Sequence, residues 1–273
     1  MYMRKTPIPQ PYSSISAVIE TVPTHEDYVD LLIYGPEIAT EALPGQFVMI
    51  RSWPDGNPLL LRPFDIVHAD PQAGSFRIVF KVSGKGTYLL SKLRPGAEVL
   101  VTGPLGRGIT EMKANRIALL ARGVGAAAVV YLAEWARAKD IEVDSFLSAT
   151  TAGRLVCADY LERSSSRLHI ATDDGSRGYH GDAREILDAE LAAATEACTP
   201  IEAVFSCGSR RFARFVQELD QQDRSQGYIF MEEYMACGMG DCHGCAVPRA
   251  DGRGYLLVCQ DGPVLSAREV SIE

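Results

Sequence analysis

The chain has 273 residues, 47% of them hydrophobic, which suits two or three small domains with a real core. Its 27 basic and 35 acidic residues leave a formal net charge of −8, which repels phosphate backbones and argues against nucleic acid as a partner. No clean apolar run reaches the roughly 20 residues of a membrane span, and "MYMRKTPIPQPYSS" lacks the pattern of a secretory signal, so a cytoplasmic protein with reduced thiols is expected.

The first hundred residues read as strands and turns. "SSISAVIETV", "DYVDLLIYG", "GQFVMIRSW", "FDIVHAD" and "SFRIVFKVS" are short β-rich runs, punctuated by "GPEI", "LPGQ", "PDGNP" and "DPQAG". Short strands at close spacing predict an antiparallel β-barrel over residues 10–110. One helix is predicted from Gly86 to about Leu93, ended by "RPG", and "AEVLVTGPLG" reads as the last barrel strand.

From Asn115 the pattern changes. "RIALLA", "IEVDSFLSAT", "RLHIATDD" and "IEAVFSCGS" read as strands. Between and after them "VVYLAEWARAKD", "ADYLERSSS", "DAREILDAELAAATEA" and "RRFARFVQELDQQ" read as helices. The alternation predicts a parallel sheet with helices on both faces over 111–226. Ligands of such sheets bind at the carboxyl ends of the strands, so the loops at 122–125, 172–178 and 207–210 are expected on one rim. Residues 227–273 are Cys- and Gly-rich and form a third unit too small for a large core of its own.

That third unit carries the most specific motif. Cys237, Cys242, Cys245 and Cys259 follow the spacing C-x4-C-x2-C-x13-C, the order in which plant-type ferredoxins hold a 2Fe–2S cluster. Gly238, Gly240 and Gly244 supply the tight bends, and neighbouring amides could then hydrogen-bond the sulfurs. Structural zinc sites instead show two short Cys pairs, whereas here the fourth cysteine stands alone. His243 reads as a surface or partner-facing residue, and Cys157 and Cys198 as buried small residues.

Other segments carry weaker signals. Arg62 offers a planar fork suited to a pyrophosphate, with Phe64 on the same strand face. Gly84, Gly86 and Thr87 precede a helix whose free amides suit a second phosphate contact. "SGKGT" is not a P-loop, because Val79 stands where its first Gly is required and Gly86 where Ser or Thr is. "ARGVGAAAV" is a Gly turn between strand and helix, short of the full dinucleotide fingerprint. Cys207 ends a buried strand, either against a nicotinamide or simply packed, and "TDDGS" is open to reading as an Asx turn.

Taken in order, "PGQFV", "RPF", "GKGT", "GPLGRG", "GVG", "TDDGSRGYHG", "CGS", "MACGMGDCHGC" and "CQDGPV" make the chain resemble the ferredoxin-reductase superfamily. Within it, the chain is most similar to the electron-transfer subunits of NAD-dependent dihydroorotate dehydrogenase. The resemblance implies that NADH reduces FAD, and that electrons then pass singly through the 2Fe–2S cluster to FMN on a separate catalytic subunit, in a heterotetramer. It implies FAD contacts at Arg62, Pro63, Phe64, Asp65, Val79, Phe80, Lys81, Gly86 and Thr87. It places the nicotinamide region at Gly123, Gly125, Cys207 and Gly208, with Asp173 and Asp174 nearby, and no catalytic acid or base on this chain. Two positions depart from the family. Asp65 replaces a Ser or Thr, and as an ionised carboxylate it would accept but not donate a hydrogen bond and would lower the flavin potential, unless it turns away. Arg122 stands where the family prefers Gly, either to pair with a cofactor phosphate or to obstruct the nicotinamide. The alternatives are a flavin/iron–sulfur reductase for another oxidoreductase or oxygenase, and a zinc-bound scaffold without hydride chemistry.

Overall fold

The computed structural model describes residues 2–24, 27–53 and 56–272, so Pro54 and Asp55 of the expected "PDGNP" turn lie outside the described residues. Seven antiparallel strands form the first sheet, in the order Arg62–Asp65, Phe47–Arg51, Glu98–Leu105, Tyr12–Pro23, Tyr28–Tyr34, Ser75–Lys81, His68–Asp70. Its inner face follows the two-residue period of a strand: Val29, Leu31 and Ile33, then Phe76, Ile78 and Phe80, then Val99 and Val101, are all buried in one core. The two edge strands are separated only by Ile66 and Val67, and Phe64 on one edge packs its ring 5.1 Å from Phe80 beside the other. The sheet therefore curls back on itself as a barrel.

"FDIVHAD", expected as one strand, is split between those two edges. Ile66 and Val67 are consecutive and both buried, so the alternation of a single strand breaks there. The helix expected from Gly86 runs Lys85–Ser91, and a further short helix, Pro36–Glu41, starts on a proline that suits a first helical turn. Ile109–Lys113, not foreseen as a strand, pairs with Tyr2–Lys5.

The second sheet runs Tyr179–His180, Arg167–Thr172, Glu142–Ala149, Arg116–Arg122, Ala203–Cys207, Gln226–Phe230, Val264–Ser266, parallel except for the last strand. The chain lays strands outward on one side of Arg116–Arg122, then returns to build on its other side. That reversal makes a topological switch point between Arg116–Arg122 and Ala203–Cys207. Helices Ala126–Arg137 and Ala158–Ser164 cover one face, and Ala183–Glu196 and Arg210–Gln221 the other. The central strands are buried on both sides, which is why "RIALLA" reads as an unbroken apolar run after its arginine.

The boundary expected at residue 227 falls inside Gln226–Phe230, a strand of this sheet. Val264–Ser266 rejoins the same sheet, so the cysteine-bearing segment is an excursion between two of its strands. Phe47, Met49 and Leu105 of the barrel share one core with Cys245, Val247 and Cys259, while Tyr28, Val67 and Val79 share another with the parallel sheet. Polar contacts cross the same seam: Tyr160 Oη donates to Asp30 Oδ2 at 2.6 Å, Tyr131 Oη to the Ala42 carbonyl at 2.9 Å, and His68 Nδ1 lies 2.7 Å from Glu134 Oε2. Cys157 is buried as expected, but Cys198 is exposed. It lies just beyond Ala183–Glu196 with a φ of 57°, a left-handed turn that carries its side chain away from the core. Among the described residues no helix is long and apolar enough to cross a membrane.

Candidate functional site

At the switch point the loops after two adjacent strands press together. A Cβ on Gly125 would lie 2.6 Å from the Cys207 carbonyl carbon and from the Gly208 nitrogen and Cα. Gly208 has a φ of 94°, and a Cβ there would collide with the Arg122 carbonyl. Two glycines thus let the backbone turns Gly123–Gly125 and Cys207–Gly208 meet at the mouth of the crevice. The Tyr28 hydroxyl of the barrel stands 3.7 Å from the corresponding point on Gly123. Arg122 does not lie across this mouth. Its Nη1 donates to Ser148 Oγ at 3.0 Å and its Nη2 to Asp173 Oδ2 at 2.5 Å, which draws the guanidinium toward the neighbouring strand ends. Asp174 is engaged differently: its Oδ1 accepts from the Ser176 nitrogen at 3.0 Å and from Ser176 Oγ at 2.6 Å, an Asx turn that holds its carboxyl below the usual range.

On the barrel side, Arg62 lies over the Trp53 ring at 5.8 Å, and Gly86 sits against both. A Cβ on Gly86 would be 3.0 Å from Arg62 Nε, so the glycine lets the strand Arg62–Asp65 meet the start of Lys85–Ser91. Thr87 Oγ1 accepts the amides of Ser83 and Gly84 at 3.0 and 3.1 Å, which shapes that turn. Val79 and Phe80 are buried, and the rings of Phe64 and Phe80 face the barrel core, so only their backbone is offered to a ligand; Lys81, half-buried, ends the same strand.

Pro63, Phe64 and Asp65 border a recess of about 100 Å³ with Phe47, Met231, Glu232, Glu233, Met235 and Pro263. Asp65 departs from expectation here. Burial, then the neighbouring Glu232, push its carboxyl up to about 7, against a weaker downward pull from its own amide. The expected fully ionised carboxylate is therefore replaced by one able to hold a proton, and to donate it, near neutrality. Neighbouring protein also raises Glu232 by partial desolvation, although the residue itself is exposed. Burial, Glu232 and Asp65 together push the Cys207 thiol well above its ordinary value, so it stays protonated. Sequence reasoning missed Glu232; its signal was an acidic pair one residue past a strand of the parallel sheet, at the carboxyl end where such sheets bind ligands.

The four cysteines converge as two pairs. Cys245 Sγ lies 3.3 Å from Cys259 Sγ, and Cys237 is hydrogen-bonded to Cys242. The Met239 amide donates to Cys237 Sγ and the Gly244 amide to Cys242 Sγ, each at 3.4 Å. Burial opposes ionisation of Cys237, but the amides of Met239, Cys242 and Asp241 outweigh it and bring the thiol down to about 7. Among the described residues no three His, Cys, Asp or Glu side chains stand at the spacing of a single bound ion. Two thiol pairs under a canopy of amides suit a two-iron cluster, which takes two thiolates per iron and hydrogen bonds to sulfur. His243, in the loop between Cys242 and Cys245, is exposed with a φ of 56°. Gly238 packs on Met49 and Leu105, and Lys5 Nζ donates to the carbonyls of Asp261 and Val264 at 2.9 and 2.7 Å, fixing the segment to the barrel side.

Residues 232–271 match the family model of the iron-sulfur cluster binding domain of dihydroorotate dehydrogenase B. Over 240 residues the chain is 33% identical to the electron transfer subunit of dihydroorotate dehydrogenase B (NAD(+)) from Desulforamulus reducens, covering 86% of this chain and 89% of that one. The chain belongs to the dihydroorotate dehydrogenase B electron transfer subunit family. The Clostridium acetobutylicum member is also 33% identical, over 94% of this chain and 96% of its own. Among solved structures, that of an NADH-dependent reduced ferredoxin-NADP oxidoreductase superposes with a TM-score of 0.82 at 26% identity, over 95% of this chain and 90% of that one. The ferredoxin reductase of carbazole 1,9a-dioxygenase shares the fold, with a TM-score of 0.64 at 18% identity over 80% and 69%. Membership accounts for the curled barrel, the parallel sheet and the cysteine excursion, and the cofactors of this family subunit are FAD, a 2Fe–2S cluster and NADH.

Proposed function

We propose that this chain takes electron pairs from NADH on FAD and passes them singly through the 2Fe–2S cluster to an FMN-containing catalytic subunit of the dihydroorotate dehydrogenase type. The assembly is a heterotetramer acting in pyrimidine biosynthesis in the cytoplasm. One observation carries the reading: the segment Met231–Glu233 lines both the barrel recess beside Asp65 and the cleft of about 220 Å³ beside Cys207, and then runs on to Cys237. Nucleotide crevice, flavin recess and cysteines are thus bordered by one continuous stretch of chain.

In this reading residues 10–110 hold FAD, 111–226 hold the nicotinamide nucleotide, and the cluster unit is the excursion between the strands Gln226–Phe230 and Val264–Ser266. Arg62 and the turn at Gly86 and Thr87 take the FAD pyrophosphate. The backbone of Pro63, Phe64, Val79, Phe80 and Lys81 would hold the ring system, and Asp65 would offer it a hydrogen bond. Gly123, Gly125, Cys207 and Gly208 bring bare backbone to the nicotinamide nucleotide, with Arg122, Asp173 and Asp174 at its edge. Cys237, Cys242, Cys245 and Cys259 would hold the cluster, which would supply one-electron transfer there. A bound flavin accepts two electrons at once and releases them one at a time, which lets a one-electron cluster follow a two-electron donor.

The test is anaerobic purification with the native partner. Stoichiometric FAD, iron and acid-labile sulfide, flavin bleached by NADH, and NAD⁺ reduction by dihydroorotate only when the partner is present are the expected results. Bleaching without any dihydroorotate activity in the complex would favour a second reading, a ferredoxin-NADP oxidoreductase type of exchange, which the 0.82 TM-score recommends.

A further inference from the structure

The cluster carries electrons but no protons, so each electron pair that arrives as a hydride leaves one proton behind in the flavin recess. Something in the recess must hold that proton and pass it to water. Its lining, in which the described side chains include no histidine, lysine or arginine, offers Asp65, Glu232 and Glu233. Cys207, next to it in the adjoining cleft, is held as a buried thiol and is no acceptor. The other charged groups of the packed elements lie elsewhere. Arg62 is turned to the Leu60 and Leu61 carbonyls and the Trp53 ring, and Arg210 lines the Cys207 cleft but not the recess.

We propose that Asp65 and Glu232 together store one proton beside the flavin, taking it up as electrons enter the recess and releasing it to solvent as they leave. The inference rests on the reading that this recess holds the flavin ring. Asp65 is half-buried on the barrel wall and Glu232 stands at the mouth shared with the open Cys207 cleft, so the pair spans the path from the recess to water. Two carboxyls lining one recess disfavour double ionisation, and the half-buried Asp65 rather than the exposed Glu232 keeps the proton near neutral pH. Negative charge added to the recess binds that proton more tightly, and its removal frees it. A hydroxyl at position 65 donates a hydrogen bond but cannot store a proton in this range. An aspartate at position 65, unlike a hydroxyl, therefore adds a proton to the two-electron exchange.

The balance is simple. Hydride arrival brings two electrons and one proton to the flavin. Above neutrality the ionised pair takes up a second proton from solvent at the same time. Departure of two electrons to the cluster returns both protons to water, one by way of Asp65 and Glu232. Below about pH 7 the pair is already protonated before electrons arrive, so only the flavin's own proton is exchanged.

The test is the flavin midpoint potential of the cluster-loaded chain, measured spectroscopically from pH 6 to 9 in the wild type and in Asp65→Asn, Asp65→Ser and Glu232→Gln. The wild-type slope should double above about pH 7, from one proton per electron pair to two, while the variants keep the single-proton slope throughout. An indicator dye should report a second proton taken up on reduction of the wild type at pH 8, and one in Asp65→Asn. A wild type with bound FAD whose slope never exceeds one proton per pair overturns the proposal and leaves the proposed function standing. Variants with the full wild-type profile also overturn it. A wild type that binds no FAD overturns both. Should a variant fold poorly, the wild-type profile and dye count decide alone.

Discussion

Replacing Gly125 with Ala tests the geometry on which the nucleotide crevice rests. The new methyl would stand 2.6 Å from three backbone atoms of Cys207 and Gly208, with no flexible side chain to swing aside. Gly125 has a φ of −59°, so its conformation suits alanine, and propensity alone would stabilise by about 0.5–1 kcal/mol. Overpacking at a close-packed site costs about 1–3 kcal/mol, so the steric term wins and the net loss is about 1–2 kcal/mol. For a chain of this size that corresponds to a fall in Tm of roughly 2–8 °C. The strain acts at the mouth of the crevice, so NADH affinity, read from the concentration dependence of flavin bleaching, should drop by about tenfold, or roughly 1.4 kcal/mol. Gly252→Asn is the control: its φ is 70°, which asparagine tolerates, and nothing lies within 4 Å of its added Cβ. A Gly125→Ala protein with unchanged Tm and NADH affinity would refute the close approach of the two loops.

Three further outcomes follow from the same structure. Asp173→Asn releases Arg122 from its carboxylate and should raise affinity for NADPH relative to NADH by up to about tenfold, one charge-assisted hydrogen bond to the extra phosphate; equal ratios in both proteins in equilibrium titrations would count against Arg122 as the rim cation. Tyr160→Phe removes the 2.6 Å donor to buried Asp30 and should cost about 1–2 kcal/mol in urea unfolding, with Asp30 still held by Arg77. His68 is raised above its ordinary value, first by its hydrogen bond to Glu134 and against the opposing pull of burial. Its contribution is thus complete below the unfolded pKa of about 6.5 and is lost as pH rises through the higher folded value. The pair is partly exposed, with side chains 40% and 29% accessible, so screening limits it to about 0.5 kcal/mol. The stability gap between wild type and His68→Gln should therefore be wider at pH 6 than at pH 8.5 in paired melts.

Much of this organisation was legible in the sequence because it follows local rules. The two-residue period of the barrel strands, the unbroken apolar run at Ile117–Ala121 and the cysteine spacing each encode their element directly. Partnering across long separations was not legible. Nothing local to Ile109–Lys113 says that Tyr2–Lys5 pairs with it, or that Val264–Ser266 returns to the edge of the parallel sheet. The state of Asp65 was misjudged for a related reason. An isolated aspartate is ionised, and only the fold brings Glu232, 167 residues further along, into the same recess. Arg122 was equally ambiguous until its partner Asp173, just past the end of Arg167–Thr172 two strands away, came into view.

The central claim is that four sulfurs and a flavin recess on one chain form an electron conduit. Its most direct test is an anaerobic NADH titration followed by absorbance and low-temperature EPR, with iron, acid-labile sulfide and FAD assayed on the same sample. The account predicts two irons, two sulfides and one FAD per chain, flavin bleaching, and an EPR signal from the reduced cluster. It also predicts that Cys259→Ser abolishes that signal while FAD remains bound. A protein with bound FAD that lacks iron and sulfide, or an intact cluster that NADH never reduces, would contradict it.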